Sequence, residues 1–94
     1  KAVARNIKYY GNKKTKSEYS WAKVKDADGY QIYASNNKKF KKKIVVNVSK
    51  KHTSTKITFN KKVSKIYMKI RPYKKIKGKK TYGRWVKRVG NRIY

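Results

Sequence analysis

The sequence predicts an all-β domain in which seven short antiparallel strands pack as a two-sheet sandwich. Apolar and polar residues alternate with a period of two along most of the 94 residues, as they do in strands that bury one face. Clusters of Gly, Asn, Asp and Lys interrupt this alternation at short intervals, which is typical of turns between strands. Nine Tyr, two Trp and two Phe, together with many β-branched residues, favour strands over helices.

Composition alone would favour a disordered chain, because only 37% of the residues are hydrophobic and the formal net charge is +27. Disordered chains are poor in aromatic and β-branched residues, however, so the alternating segments favour a folded domain. We expect a single domain over residues 1–94, which is close to the commonest domain size. The chain opens at Lys1 without Met, so we expect this domain to be excised from a longer multidomain protein.

The first three strands are predicted at residues 2–10, 17–24 and 29–35. The first alternates loosely and ends in a turn at residues 11–14, whereas the second places Tyr19 and Trp21 on one face. Residues 26–29 read Asp-Ala-Asp-Gly, which is a turn sequence because Asp caps its own backbone and Gly accepts a positive φ. The third strand alternates inward and outward residues, and its inward set is Tyr30, Ile32 and Ala34. Tyr19, Trp21 and this inward set are the predicted start of the core.

The remaining strands follow a Lys-rich connection at residues 38–43 whose one apolar residue is Phe40. A β-branched run at residues 44–48 forms the fourth strand, and residues 50–53 turn into the fifth, whose inward face holds Thr55, Ile57 and Phe59. After a loop at residues 60–64, the sixth strand points Ile66, Met68 and Ile70 inward. Residues 77–79 form a hairpin tip, and residues 81–89 form the last strand. Seven strands in this order predict a sandwich of the immunoglobulin type.

Four sequence pieces, in a fixed order between residues 17 and 89, carry a family resemblance. They are Trp21 with Val24 ahead of the segment Asp26-Ala27-Asp28-Gly29-Tyr30-Gln31-Ile32-Tyr33, Phe40 in its Lys-rich loop, the strand Met68-Lys69-Ile70-Arg71-Pro72-Tyr73, and the hairpin Gly78-Lys79-Lys80-Thr81-Tyr82-Gly83-Arg84-Trp85. Together they resemble the fibronectin type III-like domains of bacterial cell-surface and secreted proteins. The resemblance implies a repeated, non-catalytic accessory module, acting as a spacer or binding unit, that is extracellular or associated with the cell wall.

Three positions depart from the pattern of these domains. Ile66 stands where the family usually has a Tyr at the start of the strand, which removes a hydroxyl-to-backbone hydrogen bond worth about 1 kcal/mol. Pro72 stands where Ala is usual, and it lacks an amide donor, so we expect the strand to end or bulge there. Val86 follows Trp85 where Ser is usual. None of these departures changes the predicted fold.

The charge of +27 points to a negatively charged partner, because such a domain attracts any polyanion near it. Basic residues are mostly Lys, a hydrated point charge that suits diffuse attraction better than the base-specific contacts typical of Arg. We therefore expect binding to teichoic acid, an acidic glycan, or DNA or RNA without sequence specificity, with an anionic membrane surface as a further candidate. A structural spacer, an intracellular nucleic-acid-binding protein and an artificially supercharged scaffold are the alternatives.

Two groups of residues are the candidate binding elements. The cationic group comprises loop and strand-end residues together with two outward cations of the sixth strand: Lys38, Lys39, Lys41, Lys42, Lys43, Lys69, Arg71, Lys74, Lys75, Lys77, Lys79, Lys80 and Arg84. The aromatic group is an outward face formed by Tyr33, Tyr67 and Tyr73. Alternating rings and cations could stack sugars or bases. The alternative is that these are ordinary cross-strand pairs in which Lys stems cover the rings. Trp85 is expected to pack over the sheet edge with partial exposure.

No catalytic or metal site is predicted. The chain has no Cys, so thiolate chemistry and disulfides are excluded. Its acids, Glu18, Asp26 and Asp28, and its one histidine, His52, form no recognisable acid–base or nucleophile set. Asp26 and Asp28 faintly resemble the start of a calcium loop, but the other ligands are missing. We therefore expect no cofactor, no small-molecule substrate and a monomeric, non-enzymatic domain.

Overall fold

A computed structural model of the chain describes residues 3–4, 8–12, 16–59 and 65–91. These residues form eight strands, namely β1 (Lys8–Asn12), β2 (Lys16–Ser20), β3 (Gly29–Ser35), β4 (Ile44–Ser49), β5 (Ser54–Thr58), β6 (Lys65–Ile76), β7 (Lys79–Tyr82) and β8 (Val86–Asn91). No described segment is a helix with the length and apolarity needed to span a membrane. The predicted all-β class is confirmed.

The strands form two antiparallel sheets. The smaller sheet has the order β1-β2-β5, and the larger has the order β4-β3-β6, with β7 and β8 both paired to the far edge of β6. Because β7 and β8 lie end to end beside the same strand, they occupy a single strand position, and the described chain has the seven positions that were predicted. Of the predicted turn at residues 11–14, Gly11 and Asn12 belong to β1. The other two residues of that turn and the whole predicted loop at 60–64 lie outside the described residues.

The core lies where the alternation predicted it. Ten of the predicted inward residues in β2, β3, β5 and β6, or just after β2 and β5, are buried: Tyr19, Trp21, Tyr30, Ile32, Ala34, Ile57, Phe59, Ile66, Met68 and Ile70. Thr55, which was also predicted to face inward, is only half-buried. The rings of Trp21 and Tyr30 have centroids 5.2 Å apart. The Tyr30 hydroxyl accepts a hydrogen bond of 2.9 Å from the Val24 amide. A tyrosine hydroxyl therefore does anchor backbone in this domain, although Ile66 stands at the position where the family places its Tyr.

The turn between β2 and β3 differs from the prediction in the role of its glycine. The residue with positive φ is Asp26, at 64°, whereas Gly29 does not have a positive φ. Gly29 is required for space, because a Cβ there would collide with the ring of Tyr73 and the carbonyl oxygen of Val48. The Asp28 carboxylate accepts a 2.7 Å hydrogen bond from the Lys75 amide, so it ties the turn to β6 and does not cap its own backbone.

Gly29→Ala is expected to lower the free energy of unfolding by about 3 kcal/mol, because the Tyr73 ring and the neighbouring backbone must move to admit a methyl group. Gly78→Ala is the control. Nothing lies within 4 Å of an added Cβ at Gly78, so its cost is that of the positive φ alone, about 1 kcal/mol. Urea denaturation of both variants measures the difference. Equal losses would show that the close approach at Gly29 is not a packing constraint.

The hairpin tip between β6 and β7 is confirmed. Lys77 and Gly78 have φ values of 52° and 82°, and Ile76 pairs with Lys79 across the loop. Positive φ at both central residues is the signature of a two-residue type I′ turn, whose twist matches that of the flanking strands.

The prediction that the sixth strand ends or bulges at Pro72 is wrong for its own strand, since β6 continues through Pro72 to Ile76. The irregularity lies in the partner. Tyr73 pairs with Tyr82, and Ile70 pairs with Val86, so two residues of β6 face three residues, 83–85, on the other side. The Gly83 amide donates to the Pro72 carbonyl at 2.8 Å. Because the nitrogen and the carbonyl of a strand residue point to the same side, the Pro72 nitrogen, which has no hydrogen to donate, also faces the bulge. A bulge in the partner therefore accommodates the proline.

Candidate functional site

The outer face of the larger sheet, which points away from the core, brings several of the predicted binding residues together. Tyr33 of β3 pairs with Lys69 of β6, and Lys69 pairs in turn with Lys87 of β8. Residues directly opposite each other in antiparallel strands lie on the same face. Arg71 follows two residues after Lys69, on the same face, beside Gln31.

The bulge at residues 83–85 adds Tyr82 and Trp85 to this face. In an uninterrupted strand, residues three apart would point to opposite faces. The extra residue brings both rings beside Arg71, whose Cζ lies 3.6 Å from the Tyr82 centroid and 4.2 Å from the Trp85 centroid. The expectation that Trp85 is partly exposed is confirmed, since it is half-buried. Strict alternation around it is not kept.

Arg71 is held in place by rings and by an amide. Its Nε and Nη2 atoms donate hydrogen bonds of 2.9 and 2.7 Å to Oε1 of Gln31. Gln31 is buried, at 9% exposure, so its Oε1 atom has little freedom to move. Two hydrogen bonds to this one atom therefore hold the plane of the Arg71 guanidinium. Neither the rings nor the amide carries a negative charge that would compensate the charge of the guanidinium.

Lys69 is surrounded by aromatic rings in the same way. Its Nζ lies 4.5 Å from the Trp85 centroid, 4.8 Å from that of Phe40 and 5.3 Å from that of Tyr33. These distances fall within the range of cation–π attraction, about 6 Å. We call the connected group of Phe40, Tyr33, Lys69, Trp85, Arg71 and Tyr82 the cation–aromatic ladder.

The loop between β3 and β4 brings Phe40 to the ladder. Phe40 has a φ of 59°, and its amide donates to the Asn37 carbonyl at 2.9 Å. The Ser35 hydroxyl donates to the Lys41 carbonyl at 2.7 Å and accepts from the Asn37 amide at 3.0 Å. These side-chain turns fold the loop back toward the sheet, so the single apolar residue of a charged segment covers Lys69.

Four cations meet on this face, and none of them forms an ion pair with a carboxylate of the described residues. Burial lowers the pKa of Lys69 below its ordinary value of 10.5, and the positive charges of Lys87, Arg71 and Lys43 lower that pKa further. We call these four residues the cation cluster. The chain has three acidic side chains, and all lie elsewhere: Glu18 in β2 of the smaller sheet, and Asp26 and Asp28 in the β2–β3 turn.

In a side-chain NMR titration, the ammonium of Lys69 is expected to deprotonate below the ordinary lysine pKa of 10.5. The unfolded chain keeps this proton up to about pH 10.5, so this residue makes folding more favourable as pH rises from its lowered pKa toward that value. Lys87→Gln should shift the Lys69 midpoint upward, because it removes a nearby positive charge. An unchanged midpoint would show that Lys87 does not act on Lys69. Lys56→Gln, in the other sheet, is the matched control.

The predicted aromatic group is only partly assembled. Tyr33 belongs to the ladder, and Tyr67 is half-buried on the same face, two residues before Lys69. Tyr73 is on the predicted face but is buried at 7% exposure, because its ring packs over Gly29 and lies edge-on to Tyr82, with centroids 6.3 Å apart. The prediction of Tyr73 as part of an exposed stacking surface is therefore wrong.

The predicted cations divide into the ladder residues and two exposed groups. Lys69 and Arg71 are half-buried in the ladder. The first exposed group lies in the β3–β4 loop (Lys38, Lys39, Lys41, Lys42 and Lys43), and the second lies at and after the end of β6 (Lys74, Lys75, Lys77, Lys79, Lys80 and Arg84). Because β3 and β6 are antiparallel, these groups flank the ladder at opposite ends. Lys80 also places its Nζ 4.6 Å from the Tyr73 centroid.

Sequence reasoning missed three members of the site, namely the ring of Tyr82, the contact of Phe40 with Lys69, and Lys87. A signal for Tyr82 existed, since Pro72 and Gly83 together mark a place where pairing must be irregular. Phe40 depends on a loop conformation that alternation does not encode. Among the described residues, no group of three or more Asp, Glu or His side chains is placed to hold a metal ion.

No protein-family model matches the sequence, and no curated protein is significantly similar to it. Solved structures do resemble the fold. A redesigned β-sandwich protein aligns with 95% of this chain and 87% of its own, with a TM-score of 0.75 and 15% identity. The FN1–FN3 domains of chicken CNTN1 align with 96% of this chain and 30% of theirs, with a TM-score of 0.70 and 19% identity.

The fn3 domain of human contactin 1 aligns with all of this chain and 83% of its own, with a TM-score of 0.71 and 12% identity. The fold is therefore that of fibronectin type III domains, as the motifs predicted. Domains of this fold are generally non-catalytic.

Proposed function

We propose that the domain is a non-catalytic, strongly cationic binding module that associates electrostatically with polyanions, and that the cation cluster is the centre of its binding face. The observation that carries this proposal is how the cations are held. Lys69 and Arg71 are fixed by aromatic rings and by an amide oxygen, not by carboxylates. Such partners position a cation without neutralising it, so its charge remains available to an outside anion.

The aromatic rings act in this proposal as a scaffold for charge. Each ladder ring contacts a cation of the same face. This supports the alternative in which rings and cations form cross-strand pairs, and not the one in which the rings are free to stack sugars or bases. The exposed lysines of the β3–β4 loop and of the β6–β7 hairpin extend the positive surface at both ends. A flexible chain of phosphates, sulfates or carboxylates therefore fits this face better than a single small anion does.

The proposed partners are teichoic acid or another anionic wall polymer, an acidic glycan, and nucleic acid bound without sequence specificity. The proposed setting is a bacterial surface or secreted protein, extracellular or associated with the cell wall. This setting is supported by the motifs between Trp21 and Trp85. The net charge of +27 supports the choice of partner, because a field of this sign concentrates polyanions at the surface.

A salt titration of binding tests the proposal. Trp21→Phe leaves Trp85, which lies inside the ladder, as the single tryptophan reporter. Heparin, teichoic acid and single-stranded DNA are expected to change Trp85 fluorescence, with log affinity falling linearly against log salt. For single-stranded DNA the slope is about −0.7 per phosphate neutralised. A slope near zero, or no response at roughly 0.05 M salt, would overturn the electrostatic mechanism.

A structural spacer without a ligand is the second candidate. It is supported by the likeness to a chain that holds three such domains, FN1 to FN3 of chicken CNTN1. If the domain is a spacer, none of the three polymers should bind at roughly 0.15 M salt. The Debye length there is about 8 Å, so only cations that lie close together on the surface still attract a polyanion.

A further inference from the structure

A pocket lies at one end of the ladder, where the β2–β3 turn meets β6 and the bulge. Its volume is about 320 Å³, and its walls include Val24, Ala27, Pro72, Tyr73 and Tyr82. Ala27, Pro72 and Tyr73 are buried, and Val24 and Tyr82 are half-buried. The size is at the lower end of the range typical of small-molecule sites, about 300–1,000 Å³.

Backbone hydrogen bonds hold the walls of this pocket together. The Asp28 amide donates to the Tyr73 carbonyl at 2.8 Å, which ties the turn to β6. The Gly83 amide donates to the Pro72 carbonyl at 2.8 Å, which ties the bulge to the same strand. Because these bonds do not depend on a ligand, the pocket is formed in the free domain.

The lining of the pocket is mainly apolar, and both backbone groups of Val24 are already paired. The Val24 carbonyl accepts from the Ala27 amide, and the Val24 amide donates to Tyr30. What remains is the side chains of Val24, Ala27 and Pro72 and the rings of Tyr73 and Tyr82. An apolar body gains by burial there, whereas a hydroxyl-rich sugar would lose hydrogen bonds to water.

The rim carries charge of one predominant sign. Lys25 and Lys74 are exposed there, and Lys74 donates from Nζ to the Asp26 carbonyl at 3.3 Å, which keeps its ammonium at the rim. Asp26 is the single acid among the lining residues. The Tyr73 and Tyr82 rings, which meet edge to face at 6.3 Å, provide an aromatic wall on which a third ring can pack.

We infer that this pocket binds a small aromatic acid, with its ring against Ala27, Pro72 and Tyr73 and its carboxylate at Lys25 and Lys74. The inference does not depend on polyanion binding, although the pocket touches the ladder at Tyr82. It differs from the expectation drawn from sequence, which named only macromolecular anions and surfaces.

NMR titration of the ¹⁵N-labelled domain with 2-naphthoate tests this inference. We expect saturable shifts at the amides of Ala27, Asp28, Thr81 and Gly83, and affinity about ten-fold weaker for the neutral 2-naphthalenemethanol. Lys74→Gln should weaken naphthoate binding about three-fold, as loss of an exposed ion pair does, whereas Lys79→Gln, with the same charge change outside the pocket, should not. Ala27→Leu, which fills the pocket, should weaken it at least about ten-fold. If that variant is unfolded, Thr81→Trp at the exposed rim serves instead.

Several outcomes would overturn the inference. Acetate producing the same shifts would show binding of an adventitious anion only. If octanoate binds as tightly as naphthoate, the pocket does not select an aromatic ring, and the proposed ligand class is wrong. Shifts confined to Tyr33, Lys69 and Trp85 would place the ligand on the ladder. Polyanion binding can fail while naphthoate still binds, so this test and that of the proposed function give separate answers.

Discussion

Replacing Lys69, Arg71 and Lys87 together by Gln is expected to weaken binding of single-stranded DNA or heparin at least about ten-fold at moderate salt. The reason is local concentration of charge. These three cations lie on one face without carboxylate partners, and the like charges of Lys87 and Arg71 lower the pKa of Lys69. A polyanion relieves that repulsion when it binds, so it gains more there than beside an isolated lysine.

The matched control replaces Lys23, Lys50 and Lys51 by Gln. These residues are exposed in the β2–β3 and β4–β5 connections, and both triple variants lower the formal charge from +27 by the same amount. If net charge alone drives binding, the two variants lose affinity equally. If the cation cluster is the binding centre, only the first lowers the magnitude of the salt slope for single-stranded DNA, by about 2, since each phosphate contact contributes about 0.7.

Loss of Arg71 also removes its contacts with Gln31, Tyr82 and Trp85, so the fold of the cluster variant is checked by circular dichroism and thermal melting. Lys87→Gln provides a second test, because Lys87 is exposed and its removal leaves the ladder contacts intact. It should still weaken binding by about two- to three-fold, as expected for one charge contact. Equal effects of Lys87→Gln and Lys56→Gln would contradict a localised site.

The parts of the fold that sequence predicts well are those set by local alternation. Tyr30 and Ile32 in β3, and Met68 and Ile70 in β6, were assigned to the core because a strand with one buried face must repeat every second residue. The turn at Lys77 and Gly78 was predictable for a similar reason. A two-residue hairpin needs residues that accept a positive φ, which depends only on the local sequence.

The parts that were missed depend on strands far apart in the chain. The burial of Tyr73 follows from its position over Gly29, a residue that alternation treats only as a turn former. The joint placement of Tyr82 and Trp85 follows from the bulge opposite Pro72, which is a property of the pairing between two strands. Composition and alternation therefore predicted Lys69, Arg71 and Tyr33. The placement of Tyr82 and Lys87 depends on strand register, and that of Phe40 depends on its loop.

The melting temperature is expected to rise by roughly 12–30 °C between about 0.01 M and 0.5 M salt, which corresponds to a gain of about 3–4 kcal/mol. The domain measures 23 × 19 Å across its two shorter axes. At about 0.01 M salt the Debye length is roughly 30 Å, which exceeds both of these dimensions but not the 44 Å long axis, so positive charges repel one another across the thickness of the domain. At physiological ionic strength that length falls to about 8 Å, and only neighbouring charges still repel. Thermal melts in sodium chloride measure this effect directly.

Sulfate should raise the melting temperature further than chloride at equal ionic strength, for two reasons that can be separated. Sulfate strengthens apolar burial in any protein by exclusion from the surface, and it can also bind between the cations of the cluster. The Lys69, Arg71 and Lys87 variant keeps the first effect and loses the second, so its extra gain in sulfate should be smaller than that of the Lys23, Lys50 and Lys51 control. Melting temperatures that do not change with salt would show that the fold already relieves the repulsion, and the uncompensated charge would then no longer argue for an external polyanion.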